Sequence, residues 1–122
     1  KGLVVVKNRI LVVGRLNEAI AGAAQLGLQP LNNEAQKSIC NIASHFVAPW
    51  ARGYGLAKKM IDIAENIARE NSVSCVQLDI RETQQAAIQL FKSKGYKQWG
   101  INPNYALVEG KIIKGLYFYK DI

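Results

Sequence analysis

The residues most able to do chemistry together are Val47-Ala48-Pro49-Trp50-Ala51-Arg52-Gly53-Tyr54-Gly55-Leu56-Ala57. Glycines let backbone approach a ligand closely. N–H groups at the start of a following helix, with the positive end of its dipole, suit a phosphate. An anion site is therefore the physical expectation, and a tight turn with no ligand is the other reading of the same glycines. The segment is neither a Walker loop nor a dinucleotide fingerprint, because GxxxxGK[ST] and GxGxxG are both missing. Cys40 and Cys75 are the only cysteines, with no CxxC and a single histidine, His45. No metal site is expected, and both thiols read as reduced groups of a cytoplasmic protein.

The elements around this segment change period where a site would need them to. Ile10 to Val13 is a β-branched and aliphatic run, followed by Leu16-Asn17-Glu18 and then Ala19 to Leu28, which reads as an antiparallel hairpin. Lys37 to Ala48 reads as a third, long strand. After Pro49 the spacing becomes helical: Leu56, Met60, Ile63 and Ile67 make one apolar stripe, predicting a helix over 54–70. Val73 to Ile80 is a short apolar strand. Thr83 is the expected N-cap of a second helix carrying Ala87, Ile88 and Phe91 inward and stopping at Gly95. Strand, helix, strand makes a right-handed crossover with parallel strands. Tyr96 to Ile101 then reads as a strand, Asn102-Pro103-Asn104 as a turn and Ile113 to Lys120 as the closing strand. The expected fold class is α/β with a mixed sheet.

The chain has 122 residues, 49% apolar and 20% charged, which suits one globular domain and excludes disorder as the main state. Sixteen Lys and Arg against nine Asp and Glu leave a formal charge of +7, an attraction for anions in general. Apolar runs such as Leu3 to Val6 are far shorter than the ~20 residues of a membrane span, so no membrane partner is expected. Nucleic acid is not expected either, since basic residues are dispersed and no RNP, KH or zinc signature occurs.

Taken together, the motifs resemble the GNAT superfamily of acyl-CoA-dependent N-acetyltransferases. Its pattern Arg/Gln-x-x-Gly-x-Gly/Ala, after a strand ending in Val-x-Pro, is met by Arg52, Gly55 and Ala57 after Val47 and Pro49. Ala87 to Tyr96 is similar to the family helix that reads Asn-x-x-Ala-x-x-x-Tyr and ends in Gly-Phe. The tail from Asn102 to Ala106 and from Tyr117 to Lys120 is similar to members that acetylate small amines, toxin-resistance enzymes among them. The likeness runs from about Arg9 to the end. The family usually begins with one more strand and two helices, so an N-terminally incomplete domain is expected, with a sheet edge that a homodimer would cover.

The resemblance implies acetyl-CoA as cosubstrate and a small-molecule or peptide amine as acceptor. It places the pantetheine arm at backbone groups of Phe46 and Val47, where the strand splays from its parallel neighbour. The pyrophosphate falls on Arg52, Gly53, Tyr54, Gly55, Leu56 and Ala57, with Gln84 and Phe91 on the pantetheine side. An alkylamine has a pKa near ~10, so a general base helps. Where many relatives carry a carboxylate this chain has Asn41, and His45, on the same nominal face, is the candidate base. Phe91 stands where relatives often have the tyrosine that protonates the leaving thiolate, and Tyr105 is the candidate hydroxyl for substrate or sulfur. Losing that acid is tolerable, because a thiol of pKa ~8.5 departs as an anion. The alternative is a non-catalytic module of the same fold that binds CoA or a partner.

Overall fold

The computed structural model describes residues 2–6, 9–28, 38–48, 52, 53 and 55–122. They form two units, residues 1–76 with Ile122 and residues 77–121. In the first, β1 (Gly2–Val6), β2 (Arg9–Leu16), β3 (Ala19–Leu28) and β4 (Ile39–Val47) lie in that order, each antiparallel to the last. β2 turns into β3 through Asn17 and Glu18, both at positive φ (51° and 69°), the two-residue turn whose twist matches that of paired strands.

After β4 the chain enters α1 (Leu56–Glu70) and returns as β5 (Cys75–Arg81). The Ser38 carbonyl accepts from Ser74 N at 2.8 Å and Cys75 N at 3.2 Å, so β4 and β5 start side by side and run parallel, as the strand–helix–strand order predicts. α1 packs against β2, β3 and β4. Its buried residues are Met60, Ile61, Ala64, Glu65 and Ala68, a stripe rotated from the predicted one, with Leu56, Ile63 and Ile67 on its flank. The alanines explain the rotation: small side chains beneath the axis let the helix come close, and the larger isoleucines straddle it. Val12, Leu26 and Cys40 complete this core.

The second unit holds β5 from Gln77, α2 (Gln85–Ser93), β6 (Lys97–Val108) and β7 (Lys111–Asp121), its strands ordered β5-β7-β6. Leu78, Ile80, Ile88, Phe91 and Phe118 are its core; each such side chain contributes ~1.5–3 kcal/mol on burial. Two expectations are corrected here. Thr83 is not the N-cap of α2: that position is Gln84, and no side chain caps it. Nor is Asn102-Pro103-Asn104 a hairpin turn. β6 runs through it as an outward bulge, and the turn falls at Glu109 (φ 50°) and Gly110 (φ 77°).

Gly95 does end α2 as predicted. It sits at φ 92° while Gly95 N bonds to Lys92 O at 3.0 Å and Tyr96 N to Phe91 O at 3.0 Å. The accompanying apolar contact is Phe91 against Tyr96, rings edge to face at 5.2 Å.

Candidate functional site

In the first unit, β4 ends with Ala48 N donating to Ala21 O at 2.6 Å, and α1 begins at Leu56. Gly55 is the N-cap in left-handed conformation (φ 69°, ψ 11°) with no side-chain cap, and the first helical bond is Lys59 N to Gly55 O at 3.2 Å. The N–H groups of Leu56, Ala57 and Lys58 therefore precede any intrahelical acceptor, and no acidic residue occupies that turn. Arg52, Gly53, Gly55, Lys58 and Lys59 are exposed. Among the described residues, a Cβ built at Gly53 or Gly55 would meet nothing within 4 Å. Tyr54, with Pro49 to Ala51, lies outside the described residues.

Just before that turn, β4 bulges. Ala23 pairs with Phe46 and Gln25 with Ala43, leaving Ser44 and His45 opposite Ala24 alone. One extra residue reverses the facing of everything after it. Asn41 is exposed while His45 turns inward, which corrects the expectation that they share a face. Burial holds the His45 imidazole below its ordinary pKa, and a hydrogen bond with the Ala57 backbone pulls the other way. A bond that favours imidazolium is one the ring donates, so it runs to the Ala57 carbonyl and ties β4 to the first turn of α1. Phe46 is 53% exposed beside it, and Val47 is half-buried.

The second unit holds the other polar cluster. Tyr105 donates its hydroxyl proton to Asp79 Oδ2. Its pKa is pushed up to about 12, by burial first and then by that bond and the Asp79 charge, with Tyr117 adding and Arg81 opposing. The bulge makes this possible: Asn102 pairs with Gly115 and Ala106 with Ile113, so three residues face Lys114 alone. Asn102 Oδ1 accepts from Asn104 N at 3.0 Å, closing the loop. Tyr105 is thereby laid over Gly115, where any Cβ would overlap its ring. Tyr117 stands edge-on to Tyr105 at 6.1 Å and 5.6 Å from Trp99.

Asp79 is the residue sequence reasoning missed. Val76, Leu78 and Ile80 are buried and Asp79 between them is exposed, an alternation that could have singled it out on an otherwise apolar strand. Gln84 is exposed at the start of α2. Phe91 is 2% exposed and supports the helix end through Tyr96. Cys40, also buried, has its thiol raised to about 12 by burial and by Cys75, which removes it as a nucleophile near neutral pH. Neither cysteine is in a disulfide among the described residues. Among the described residues no three His, Cys, Asp or Glu side chains gather around a common point, and no helix is long and apolar enough to cross a membrane.

A glycine turn feeding a helix start without a side-chain cap, in a mixed α/β sheet with a parallel strand–helix–strand unit, is a local geometry suited to an anion. Comparison makes the class specific, because the model of the acetyltransferase (GNAT) family matches residues 5–96. The chain belongs to that family. An uncharacterised N-acetyltransferase from the hisH-hisA intergenic region of Azospirillum brasilense is 49% identical over 84 residues, 69% of this chain and 50% of that protein. The chain thus spans half the length of this curated relative. A GNAT-family acetyltransferase from Streptococcus pneumoniae superposes with TM-score 0.86 at 23% identity, over 96% of this chain and 69% of that one. Salmonella typhimurium yncA, solved with its cofactor acetyl-CoA, gives 0.80 at 18% identity, over 93% and 64%. At those identities the structures speak for the fold.

Proposed function

We propose that this chain transfers acetyl from acetyl-CoA to a primary amine by direct attack of the amine on the thioester. The observation that carries the reading is the pair Gly53 and Gly55, both at positive φ with open space among the described residues where a Cβ would stand, before the uncapped start of α1. It fits a pyrophosphate: N–H groups from Gly53 to Ala57 would donate to its oxygens, with Tyr54 in the same stretch and Arg52 adding charge. Backbone groups of Phe46 and Val47 would pair with the pantetheine arm. Phe91 acts by supporting the end of α2. That yncA holds acetyl-CoA supports the choice of donor.

Within the second unit, Asp79 and Tyr105 are the groups with the chemistry to receive an amine. An aliphatic ammonium must lose a proton before its nitrogen can attack, and an exposed carboxylate can hold the ammonium and accept that proton on its way to water. The C–N bond then forms, the C–S bond breaks, and the nitrogen sheds its second proton while CoA leaves as thiolate. Tyr105 keeps its proton, donates it in a hydrogen bond to Asp79 and so orients that carboxylate. His45 serves as a positioning residue for α1. Two cysteines outside any disulfide suit a reducing cytoplasm.

Calorimetric titration with acetyl-CoA tests the donor site. Micromolar binding is expected, and Gly55→Ala should weaken it at least ~10-fold with the protein still folded, because a Cβ at φ 69° strains the turn and enters the ligand's space. No heat at millimolar acetyl-CoA would reject the proposal. One observation favours a second reading, a module that binds CoA without turnover: Phe91 has no hydroxyl and Tyr105 has already committed its own to Asp79. Thiol release over a broad amine panel separates the two.

A further inference from the structure

Arg81 lies two residues beyond Asp79 on β5, on the same outward side of the strand, with Leu78 and Ile80 buried on the other. Its charge bears on the Tyr105 hydroxyl. Yet among the described residues the Asp79 carboxylate accepts a side-chain hydrogen bond from Tyr105 alone, and no ion pair joins Arg81 to Asp79 or to any other of them. Two opposite charges that share a face and do not pair cancel each other's attraction for a simple cation or anion. They favour a ligand that carries both signs. At ~3.3 Å per residue their attachment points stand about 7 Å apart. Side chains rooted that close together can both reach one small ligand that carries an ammonium and a carboxylate.

The rest of the face says what such a ligand carries. Tyr105, Tyr117 and Trp99 form a chain of rings beside the charges, and Trp99, 61% exposed, is the extra residue of a second bulge between Gln98 and Gly100. A bulge that turns a large ring outward next to two tyrosines supplies an apolar wall. Resting on the acetyl-transfer reading above, we propose that the acceptor is a free α-amino acid with an apolar or aromatic side chain. Its ammonium is held by Asp79, its carboxylate by the Arg81 guanidinium, and its side chain lies on Tyr117 and Trp99.

The test compares L-phenylalanine with L-phenylalanine amide and a phenylalanyl dipeptide, following thiol release from acetyl-CoA. The free acid should be favoured at least ~10-fold in kcat/KM, the ratio expected for one charge-assisted hydrogen-bonding partner. Arg81→Gln should collapse the acid-to-amide ratio toward one, and Arg81→Lys should restore part of it. Equal turnover of acid and amide by the unaltered protein overturns the assignment. So does an Arg81→Gln variant that slows both substrates in proportion. Titration of L-phenylalanine into protein saturated with CoA separates this inference from the reading beneath it. Binding that is lost in Arg81→Gln, without thiol release from any amine, upholds the amino-acid site and rejects acetyl transfer. Turnover of other amines with no preference for the free acid does the reverse.

Discussion

A phenol that donates to a carboxylate holds its proton well above the ordinary tyrosine range, and Tyr105 is in that position beside Asp79. Asp79→Asn removes the charge and leaves the burial, which is the larger cause, so the Tyr105 pKa should fall from about 12 by part of its rise only, read by absorbance between pH 9 and 13. The same variant should lower kcat/KM for amine acetylation at least ~10²-fold, the scale of a lost general base; an unchanged rate would free Asp79 from any part in the reaction. His45 offers a second test. Its folded pKa is lowered, so between 6.5 and the depressed value the unfolded chain binds a proton that the folded one does not. Its contribution to stability is complete above 6.5 and is lost as pH falls through the folded value. The melting temperature should drop across that window, and His45→Gln should flatten the slope. An identical slope in the variant would show that other groups carry it.

At the level of elements, the parts that follow from local sequence were readable: the Asn17-Glu18 hairpin, the period change at α1, and the stop at Gly95. The three bulges that aim the site were not. A bulge is one strand's excess over another, and neither strand records it alone. The Ser44-His45 pair against Ala24 reverses His45, and alternation within β4 by itself puts it on the opposite face. Asn102-Pro103-Asn104 does carry turn chemistry, but the pairing of Ala106 with Ile113 carries β6 past it to the two-residue turn at Glu109 and Gly110. Gly115 is the counterpart that lets this bulge close. Gly115→Ala would set a methyl against the Tyr105 ring, so the ring must lift from β7. A loss of ~1–3 kcal/mol is expected by chemical denaturation, the usual scale of overpacking, together with loss of the high tyrosine pKa. Retention of that pKa in Gly115→Ala would mean that Tyr105 reaches Asp79 without the bulge geometry.

Across the whole molecule, the +7 charge is dispersed, with Arg52, Lys58 and Lys59 in the first unit and Arg81, Lys111, Lys114 and Lys120 in the second. A dispersed field attracts anions from a distance but holds none of them tightly, since exposed charges are screened within ~10 Å at 0.1 M salt. The helix-start N–H groups are short-range donors and should keep their hold at any ionic strength. Acetyl-CoA affinity should therefore fall only a few-fold between 50 and 500 mM NaCl. Arg52→Ala should weaken binding by roughly ~3–10-fold at low salt and less at high salt. Acetyl-pantetheine, which lacks the phosphates, should bind weakly and show no salt dependence. A fall of ~10³-fold or more for acetyl-CoA over that range would resemble the counterion release of nucleic-acid binders. It would mean that the general field, and not the turn at Gly53 and Gly55, holds the cosubstrate.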